Sequence, residues 1–217
     1  MNFIKLWNYV KYPRTYHLPF SLGKTEDDKT LIDCNHFLNR EVIATVKMDG
    51  ENTTAYSDGH IHARSLDSSN HETRDWVKSF LKPKLFDLPK NWRICGENLY
   101  AKHSIFYDNL KSFFYLFSIW NEENKCLSWD ETMEWAELLQ IQPVISLYRG
   151  IWNENAIRNA YSEYALSNES EGFVVRLDDS FAYEEFDKSV AKFVRKNHVQ
   201  TNQHWMYSQI VKNEIGT

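Results

Sequence analysis

One lysine stands where covalent chemistry is feasible. Lys47 follows the apolar run 42–46 and precedes the turn residues Asp49 and Gly50. A neutral lysine amine is a nucleophile, and burial or neighbouring positive charge lowers its pKa enough to supply that form. An ordinary β-hairpin whose first strand ends in a charged residue has the same short pattern, and such motifs often match by chance. The residues downstream decide between the two interpretations.

Charged residues recur in or beside apolar, strand-like segments. Counting Lys47, they form five sites along the chain: Lys47, Arg64-Ser65, Gly96-Glu97, Glu171-Gly172 and Lys192, the last followed by Arg195-Lys196. A charged residue in an apolar strand is costly to bury unless it is paired or bound to a ligand. One such residue is unremarkable, but five predict a common polar cavity.

The five sites resemble an ordered set of known motifs. The series KxDG, RS, GE, EGFVVR and AKFVRK is similar to that of the covalent nucleotidyltransferase superfamily, which comprises ATP-dependent RNA and DNA ligases and GTP-dependent capping enzymes. The resemblance extends over residues 13–205, and order with spacing makes it more specific than any single motif. Segments 12–19, 97–105 and 198–205 resemble RNA ligases in particular. The implied fold is the α+β nucleotidyltransferase (adenylyltransferase) fold, with largely antiparallel sheets flanked by helices and the nucleotide pocket between them.

The resemblance also implies a role for each motif. Lys47 would attack the α-phosphorus of ATP, expel pyrophosphate and form a lysyl–AMP phosphoramidate, with Asp49 and Gly50 shaping its turn. Glu171 and Glu97 would hold Mg²⁺ or Mn²⁺, which neutralises phosphate charge and depresses the lysine pKa. The other implied contacts are Arg64 to the nucleotide and substrate phosphate, Glu97 to the ribose hydroxyls, Phe117 (or Phe114) stacked on adenine, Lys192 with Lys196 (or Arg195) to the α-phosphate, and His103 and Arg195 to the substrate.

Val46 departs from the pattern of many such ligases. They carry a glutamate immediately before the nucleophile, where it helps to read the adenine amine. With Val46 at this position, adenine recognition has to rest on backbone groups or on another side chain.

The elements that position these residues can be predicted from hydrophobic periodicity and turn signals. Asp-Gly pairs at 49–50 and 58–59 between alternating segments predict β-hairpins. His60 and His62 lie on one strand face and are interpreted as exposed. Strands are predicted at 42–47, 52–56, 60–64, 92–99, 113–120, 173–176 and 190–194, and helices at 75–81, 129–139 (capped by Ser128), 154–166 and 203–211. Strands in blocks with helices between them favour an α+β fold with largely antiparallel sheets.

Composition describes a folded globular protein. Its 217 residues, with 15% aromatics and sparse glycine and proline, supply ample material for a core. We expect one domain over 1–217, with an irregular segment at 1–40 and a short helical tail at 198–217. A net charge of −5 excludes binding of nucleic acid by bulk attraction. The three scattered cysteines predict reduced thiols, and no apolar run reaches membrane-span length, so we expect a cytoplasmic protein with no membrane partner.

The leading hypothesis for function is an ATP-dependent RNA ligase. It would join 5′-phosphate and 3′-hydroxyl RNA ends through a lysyl–AMP intermediate and an adenylylated RNA end. DNA ligases and capping enzymes append an OB-fold domain, and too few residues follow Lys192 here to build one. Nick-sealing DNA ligase and, more distantly, mRNA capping remain alternatives. A non-catalytic protein that binds nucleotide or RNA ends is a further alternative from another class.

Overall fold

The computed structural model describes residues 9–68, 70–196 and 210–216. Its elements follow the chain in mixed order. The strands are β1 (Tyr16–His17), β2 (Glu41–Lys47), β3 (Glu51–Tyr56), β4 (Ile61–Ala63), β5 (Arg93–Asn98), β6 (Phe114–Trp120), β7 (Lys125–Cys126), β8 (Ser146–Ile151), β9 (Gly172–Leu177), β10 (Phe181–Ala182) and β11 (Val190–Val194). The α-helices are α1 (Asp75–Leu81), α2 (Trp129–Leu138), α3 (Glu154–Tyr164) and α4 (Phe186–Ser189).

The strands form two sheets. The first has the order β1-β11-β9-β2-β8, and the second has the order β10-β7-β6-β5-β3-β4. Among the named strands of the described residues, β1 and β11 pair in parallel and the other pairs are antiparallel. The predicted α+β class with largely antiparallel sheets is therefore confirmed.

The Asp49-Gly50 turn does not close a hairpin, so that prediction is wrong. β2 pairs with β9 and β8 in the first sheet, whereas β3 pairs with β4 and β5 in the second. The reason is burial: residues 42–46 are all buried, and a strand covered on both faces belongs in the middle of a sheet. The chain therefore crosses between sheets directly after Lys47. The second predicted hairpin, at Asp58-Gly59, is confirmed by the pairing of β3 with β4.

Helix α2 begins at a local sequence signal and packs, together with α1, on the second sheet. α2 begins at Ser128, whose hydroxyl accepts a hydrogen bond from the Glu131 amide at 3.3 Å while the Glu131 carboxylate accepts one from the Ser128 amide at 2.9 Å. This reciprocal capping satisfies two amide groups that a helix start would otherwise leave unpaired. α1 and α2 then pack against the second sheet in one apolar cluster that includes Val77, Phe114 and Ala136.

The N-terminal segment is irregular but is attached to β11. The Leu18 amide donates to the Lys192 carbonyl at 2.8 Å, and the Gly23 amide donates to the Val194 carbonyl at 2.9 Å. The predicted helical tail lies mostly at 197–209, outside the described residues. Residues 210–216 form isolated bridges, from Lys212 to Ala101 and from Ile215 to Leu110, so for them the helix prediction is wrong.

The structure also bears on the predictions for the cysteines and for membrane-spanning segments. Cys34, Cys95 and Cys126 are free thiols, as predicted. In the part of the chain that the structure describes, no helix combines the length and the apolar character needed to cross a membrane.

Gly172 permits the close approach of β9 and β11. A Cβ atom at this position would lie 1.9 Å from the Phe193 carbonyl oxygen, a backbone atom that cannot rotate away. We expect Gly172→Ala to lower the free energy of unfolding by about 3 kcal/mol, measured by urea denaturation. Gly59→Ala is the control, because a Cβ at Gly59 meets no atom within 4 Å and its φ of +89° costs only strain, about 1–2 kcal/mol. A loss for Gly172→Ala no larger than for Gly59→Ala would contradict the close packing.

Candidate active site

A cavity of about 740 Å³ is lined by residues of both sheets. Its walls contain most of the residues predicted for chemistry: Val46, Lys47, Gly50, Arg64, Glu97, His103, Phe117 and Lys192. Segments far apart in sequence therefore converge, as the polar-cavity hypothesis requires. The crossing of the chain between sheets places Lys47 at their junction.

Lys47 is paired with a carboxylate. Its Nζ donates to Oε2 of Glu171, and the Glu171 amide donates to the Lys47 carbonyl at 3.2 Å. Burial by itself would lower the pKa of Lys47, but the charges of Glu171 and Glu97 outweigh burial and raise it. The amine is therefore protonated at neutral pH, and an attack by Lys47 requires prior loss of that proton.

Glu97 is the most perturbed carboxylate of the site. Burial, with repulsion from Glu171 and Asp49, raises its pKa to about 8 against the opposing effect of Lys47. The Gly50 amide donates to Glu97 Oε1 at 3.2 Å. A Cβ on Gly50 would lie 2.5 Å from the Asn98 carbonyl oxygen, so only glycine permits this approach of the turn to β5.

Asp49 anchors the loop that follows β5. Its Oδ2 accepts hydrogen bonds from the amides of Ser104 and Ile105, each at 2.8 Å, and from the Ser104 hydroxyl at 2.6 Å. The Asp49 amide donates to the Tyr107 hydroxyl at 3.0 Å. This anchoring holds the adjacent, half-buried His103 in the cavity wall, where burial lowers its pKa.

Cations occupy the side of the cavity near β11 and the N-terminal segment. Arg14 and Arg64 both line it, and partial burial together with the charge of Arg14 lowers the pKa of Arg64. Lys192 Nζ lies 3.6 Å from Asp28 Oδ1. Such an array of guanidinium and ammonium groups suits the binding of phosphate oxygens.

The structure does not bring Arg195 and Lys196 into the cavity wall. The Arg195 side chain donates from Nε to the Ser170 carbonyl at 2.9 Å, and its amide donates to the Glu171 carbonyl at 3.0 Å. Lys196 is exposed. Arg195 thus supports the loop that carries Glu171.

Of the two aromatic candidates, only Phe117 reaches the cavity. Phe117 is half-buried, and its ring centroid lies 5.2 Å from that of Tyr12 in an edge-to-face arrangement. Phe114 is 0% exposed and belongs to the core beside Gly96, where a Cβ would lie 2.3 Å from its ring. The alternation of side chains along β6 separates the two.

The cavity wall also contains residues that sequence reasoning did not assign to the site, among them Tyr12, Arg14, Asp28 and Arg176. Arg176 lies two positions after Val174 on β9, so both side chains are on the face of the strand that lines the cavity. Arg176 donates from Nη2 to the Leu127 carbonyl at 2.6 Å. Its buried Nη1 has no hydrogen-bond partner among the described residues. The sequence signal for Arg176 was an arginine at the end of an apolar strand.

The prediction for His62 is wrong. This residue was interpreted as exposed, but it is only 3% exposed.

The carboxylates suit a hydrated divalent cation. Among the described residues, no group of three or more histidine, cysteine, aspartate or glutamate side chains could hold a metal. Mg²⁺, however, usually binds one or two carboxylates together with waters and substrate phosphates. Burial, together with repulsion from Glu171 and Asp49, raises the pKa of Glu97, and a bound cation would stabilise its ionised form. Glu97 and Glu171 therefore fit this kind of site.

Comparison with solved structures identifies the fold. A variant of the Naegleria gruberi RNA ligase solved with ATP and Mn is 17% identical, with a TM-score of 0.55, over 87% of this chain and 61% of that chain. An archaeal ATP-dependent RNA ligase is 15% identical (TM-score 0.58; 85% and 48%). A putative ATP-dependent DNA ligase from Aquifex aeolicus is 18% identical (TM-score 0.57; 85% and 49%). This chain thus spans about half to three-fifths of the length of these proteins and shares the nucleotidyltransferase fold of ligases.

Sequence comparison identifies the family. No curated protein sequence matches the chain. The model of the family described as RNA ligase matches residues 40–194, from the start of β2 to the end of β11. Because this match covers more than half of the 217 residues, the chain belongs to the RNA ligase family.

Proposed function

We propose that this protein is an ATP-dependent RNA ligase that joins 5′-phosphate and 3′-hydroxyl RNA ends. The observation that carries the proposal is Lys47 itself, which ends a central strand, lines the cavity and is paired with Glu171. A half-buried lysine in a cavity that also presents a cationic wall suits attack on a phosphorus atom. The RNA ends are the partners of this reaction.

ATP and a divalent cation complete the proposed site. The Naegleria gruberi relative was solved with ATP and Mn, and the cavity volume of about 740 Å³ is in the usual range for small-molecule sites. Phe117 would stack on adenine, Glu97 would bind the ribose hydroxyls, and Arg64 and Lys192 would contact phosphates. Glu97 and Glu171 would hold Mg²⁺ or Mn²⁺, which would neutralise phosphate charge and depress the pKa of Lys47.

The first step transfers AMP to the protein. The Lys47 ammonium would first lose a proton to solvent water, and the neutral amine would then attack the α-phosphorus of ATP. A phosphorus–nitrogen bond forms while the bond from the α-phosphorus to the bridging oxygen breaks, and pyrophosphate leaves with the electron pair. Lys192 and Arg64 stabilise the charge that develops on the phosphate oxygens.

The remaining steps use RNA. An oxygen of the RNA 5′-phosphate attacks the adenylyl phosphorus, breaks the phosphorus–nitrogen bond and returns the amine of Lys47. A 3′-hydroxyl then attacks the RNA 5′-phosphorus, and AMP leaves as the phosphodiester forms. Arg14, which lines the cavity near Arg64, would contact the RNA phosphate.

Two alternatives remain open to test. The fold resembles a putative DNA ligase as well as RNA ligases, with TM-scores of 0.57 and 0.58, so fold does not select the substrate. A non-catalytic binder is disfavoured because Lys47 lies close enough to Glu97 and Glu171 for both carboxylates to act on its charge.

A ligation assay separates these possibilities. Matched nicked duplexes with all-RNA, all-DNA and mixed strands around the nick are incubated with the protein, ATP and Mg²⁺ or Mn²⁺. We expect sealing that requires a 5′-phosphate, and that is faster with RNA at the nick. Faster sealing of all-DNA nicks would identify a DNA ligase. Nucleotide binding with no covalent adduct and no sealing would identify a binder.

Removal of the Phe117 ring tests the adenine site. Base–aromatic stacking contributes about 1–3 kcal/mol per base, so we expect Phe117→Ala to weaken ATP binding by a factor between about 5 and about 150, measured by calorimetry. Phe117→Tyr retains the ring and should bind almost as the native protein does. Phe86→Ala, at a ring that is 87% exposed, controls for loss of an aromatic side chain. Unchanged affinity in Phe117→Ala would place adenine elsewhere.

A further inference from the structure

A carboxylate stands within the cationic wall of the cavity. Asp28 lines the cavity from the N-terminal segment, and its Oδ1 lies 3.6 Å from Lys192 Nζ on β11. Its side chain is 10% exposed and that of Lys192 is 17% exposed, so the pair is largely shielded from water. Within the described residues this is the ion pair that Lys192 makes. A negative charge at a phosphate-binding wall needs an explanation, because it repels the proposed ligand.

The second oxygen of Asp28 is held in place by its own segment. Oδ2 accepts hydrogen bonds from the Thr25 amide at 3.1 Å and from the Thr25 hydroxyl at 3.0 Å. His17 Nε2 lies 3.3 Å from the same oxygen. Burial would raise the pKa of Asp28, but the bonds from Thr25 and the charge of Lys192 outweigh burial and lower it. Asp28 is therefore an ionised carboxylate whose Oδ1 is left facing Lys192.

The frame that holds Asp28 is continuous with β11. His17 is paired with Lys192 in the parallel register of β1 and β11. The Ser21 hydroxyl accepts a hydrogen bond from the Val194 amide at 2.9 Å and also contacts His17 Nδ1 at 2.7 Å. Burial, with the charge of Lys192, lowers the pKa of His17 to about 4, so this histidine is neutral at pH 7. It therefore packs beside the Asp28 carboxylate without adding a positive charge to it. Asp28 and Lys192 thus belong to one hydrogen-bonded unit formed by the N-terminal segment and β11.

Lys192 needs such a partner. Burial and the like charge of Lys47 lower the pKa of Lys192, whereas Asp28 and Glu171 act in the opposite direction. Without a nearby carboxylate, the pKa of Lys192 would be lower still, and its long side chain would sample other rotamers. A misplacement of about 1 Å in a group that contacts the reacting centre can slow a reaction about a hundredfold.

We propose that Asp28 is the positioning residue for Lys192: its carboxylate holds the ammonium group at the cavity wall in the direction from which it contacts the α-phosphate of the nucleotide. This inference rests on the proposed function, because it assigns Lys192 to phosphate binding. Asp28 acts through Lys192 and does not touch the reacting atoms. Loss of the Asp28 carboxylate should therefore lower the rate of adenylylation and should not weaken nucleotide affinity.

The test compares Asp28→Asn with Asp27→Asn, its exposed neighbour. Both variants lose one negative charge from the same segment. Single-turnover formation of the AMP adduct at varied ATP concentrations separates the maximal rate from the affinity. For Asp28→Asn we expect a rate about tenfold lower with ATP affinity unchanged or tighter, because a charge that repels phosphate has been removed. Asp27→Asn should behave as the native protein does, and thermal unfolding of both variants checks folding.

A second measurement reads the pair without nucleotide. In protein labelled with ¹⁵N-lysine, the Nζ signal of Lys192 is identified by its loss in Lys192→Arg. Lys192 also faces Lys47, Arg64, Glu171 and His17, which remain in both variants. Its pKa should fall in Asp28→Asn and stay constant in Asp27→Asn. An unchanged pKa, or a weaker ATP affinity with an unchanged rate, would overturn the role of Asp28. Failure of the native protein to form an adduct would overturn the proposed function, and the titration would still decide whether the pair forms.

Discussion

Replacement of Lys47 by alanine is expected to eliminate the proposed covalent AMP adduct. In the proposed reaction the side chain supplies the attacking nitrogen, and no other cavity lysine of the described residues forms an ion pair with Glu171. Loss of a nucleophile costs orders of magnitude in rate, so we expect at least about a 10³-fold decrease. The measurement is incubation with α-labelled ATP and Mg²⁺ or Mn²⁺, followed by denaturing electrophoresis.

Two variants control this result. Lys47→Arg keeps a positive charge beside Glu171 but has no amine that can lose its proton near neutral pH, so it should also form no adduct. Lys90→Ala removes an exposed lysine and should label as the native protein does. An undiminished adduct in Lys47→Ala would place the nucleophile at another residue.

Replacement of Glu171 by glutamine should lower the maximal rate of adenylylation by about 10²- to 10³-fold. The change removes a charge that holds the proposed cation, and a bound cation contributes several kcal/mol of charge stabilisation in the transition state. It also removes the carboxylate that accepts the Lys47 hydrogen bond. Single-turnover labelling at saturating ATP measures this rate, and Glu169→Gln, at an exposed position in the same loop, is the matched control.

The same variant should shift the pH dependence in a defined direction. The carboxylate of Glu171 raises the pKa of Lys47 against the effect of burial. Without this charge, Lys47 loses its proton at lower pH, so the rising limb of the rate against pH should move to lower pH while the maximum falls. A limb that moves to higher pH, or a maximum that does not fall, would contradict the pairing of Lys47 with Glu171.

Local pattern was sufficient for the elements whose own residues specify them. The helix predicted at 75–81 matches α1 (Asp75–Leu81), and the strand predicted at 190–194 matches β11 (Val190–Val194). The cap at Ser128 was also predictable, because the reciprocal hydrogen bonds with Glu131 involve residues three apart. These interactions are short in sequence, so neighbouring residues determine them.

Long-range packing decided the rest. The strand β8 (Ser146–Ile151) was missed because its alternation is weak and its pairing with β2 supplies the order. The Asp49-Gly50 pair has hairpin chemistry, yet burial of β2 on both faces placed that strand and β3 in different sheets. Asp28 was visible only as part of an acidic patch, since its partner Lys192 lies 164 positions later in the sequence.

The sequence by itself determined the chemical groups and their order: Lys47, Arg64, Glu97, Glu171 and Lys192, each at or near a strand. Their spacing was enough to predict one polar cavity, because apolar strands do not bury isolated charges. Only the tertiary structure decided that Phe117 and not Phe114 faces the cavity, that Lys47 is protonated beside Glu171, and that Asp28 faces Lys192. These features depend on distances between segments remote in sequence, which are set by how the two sheets pack.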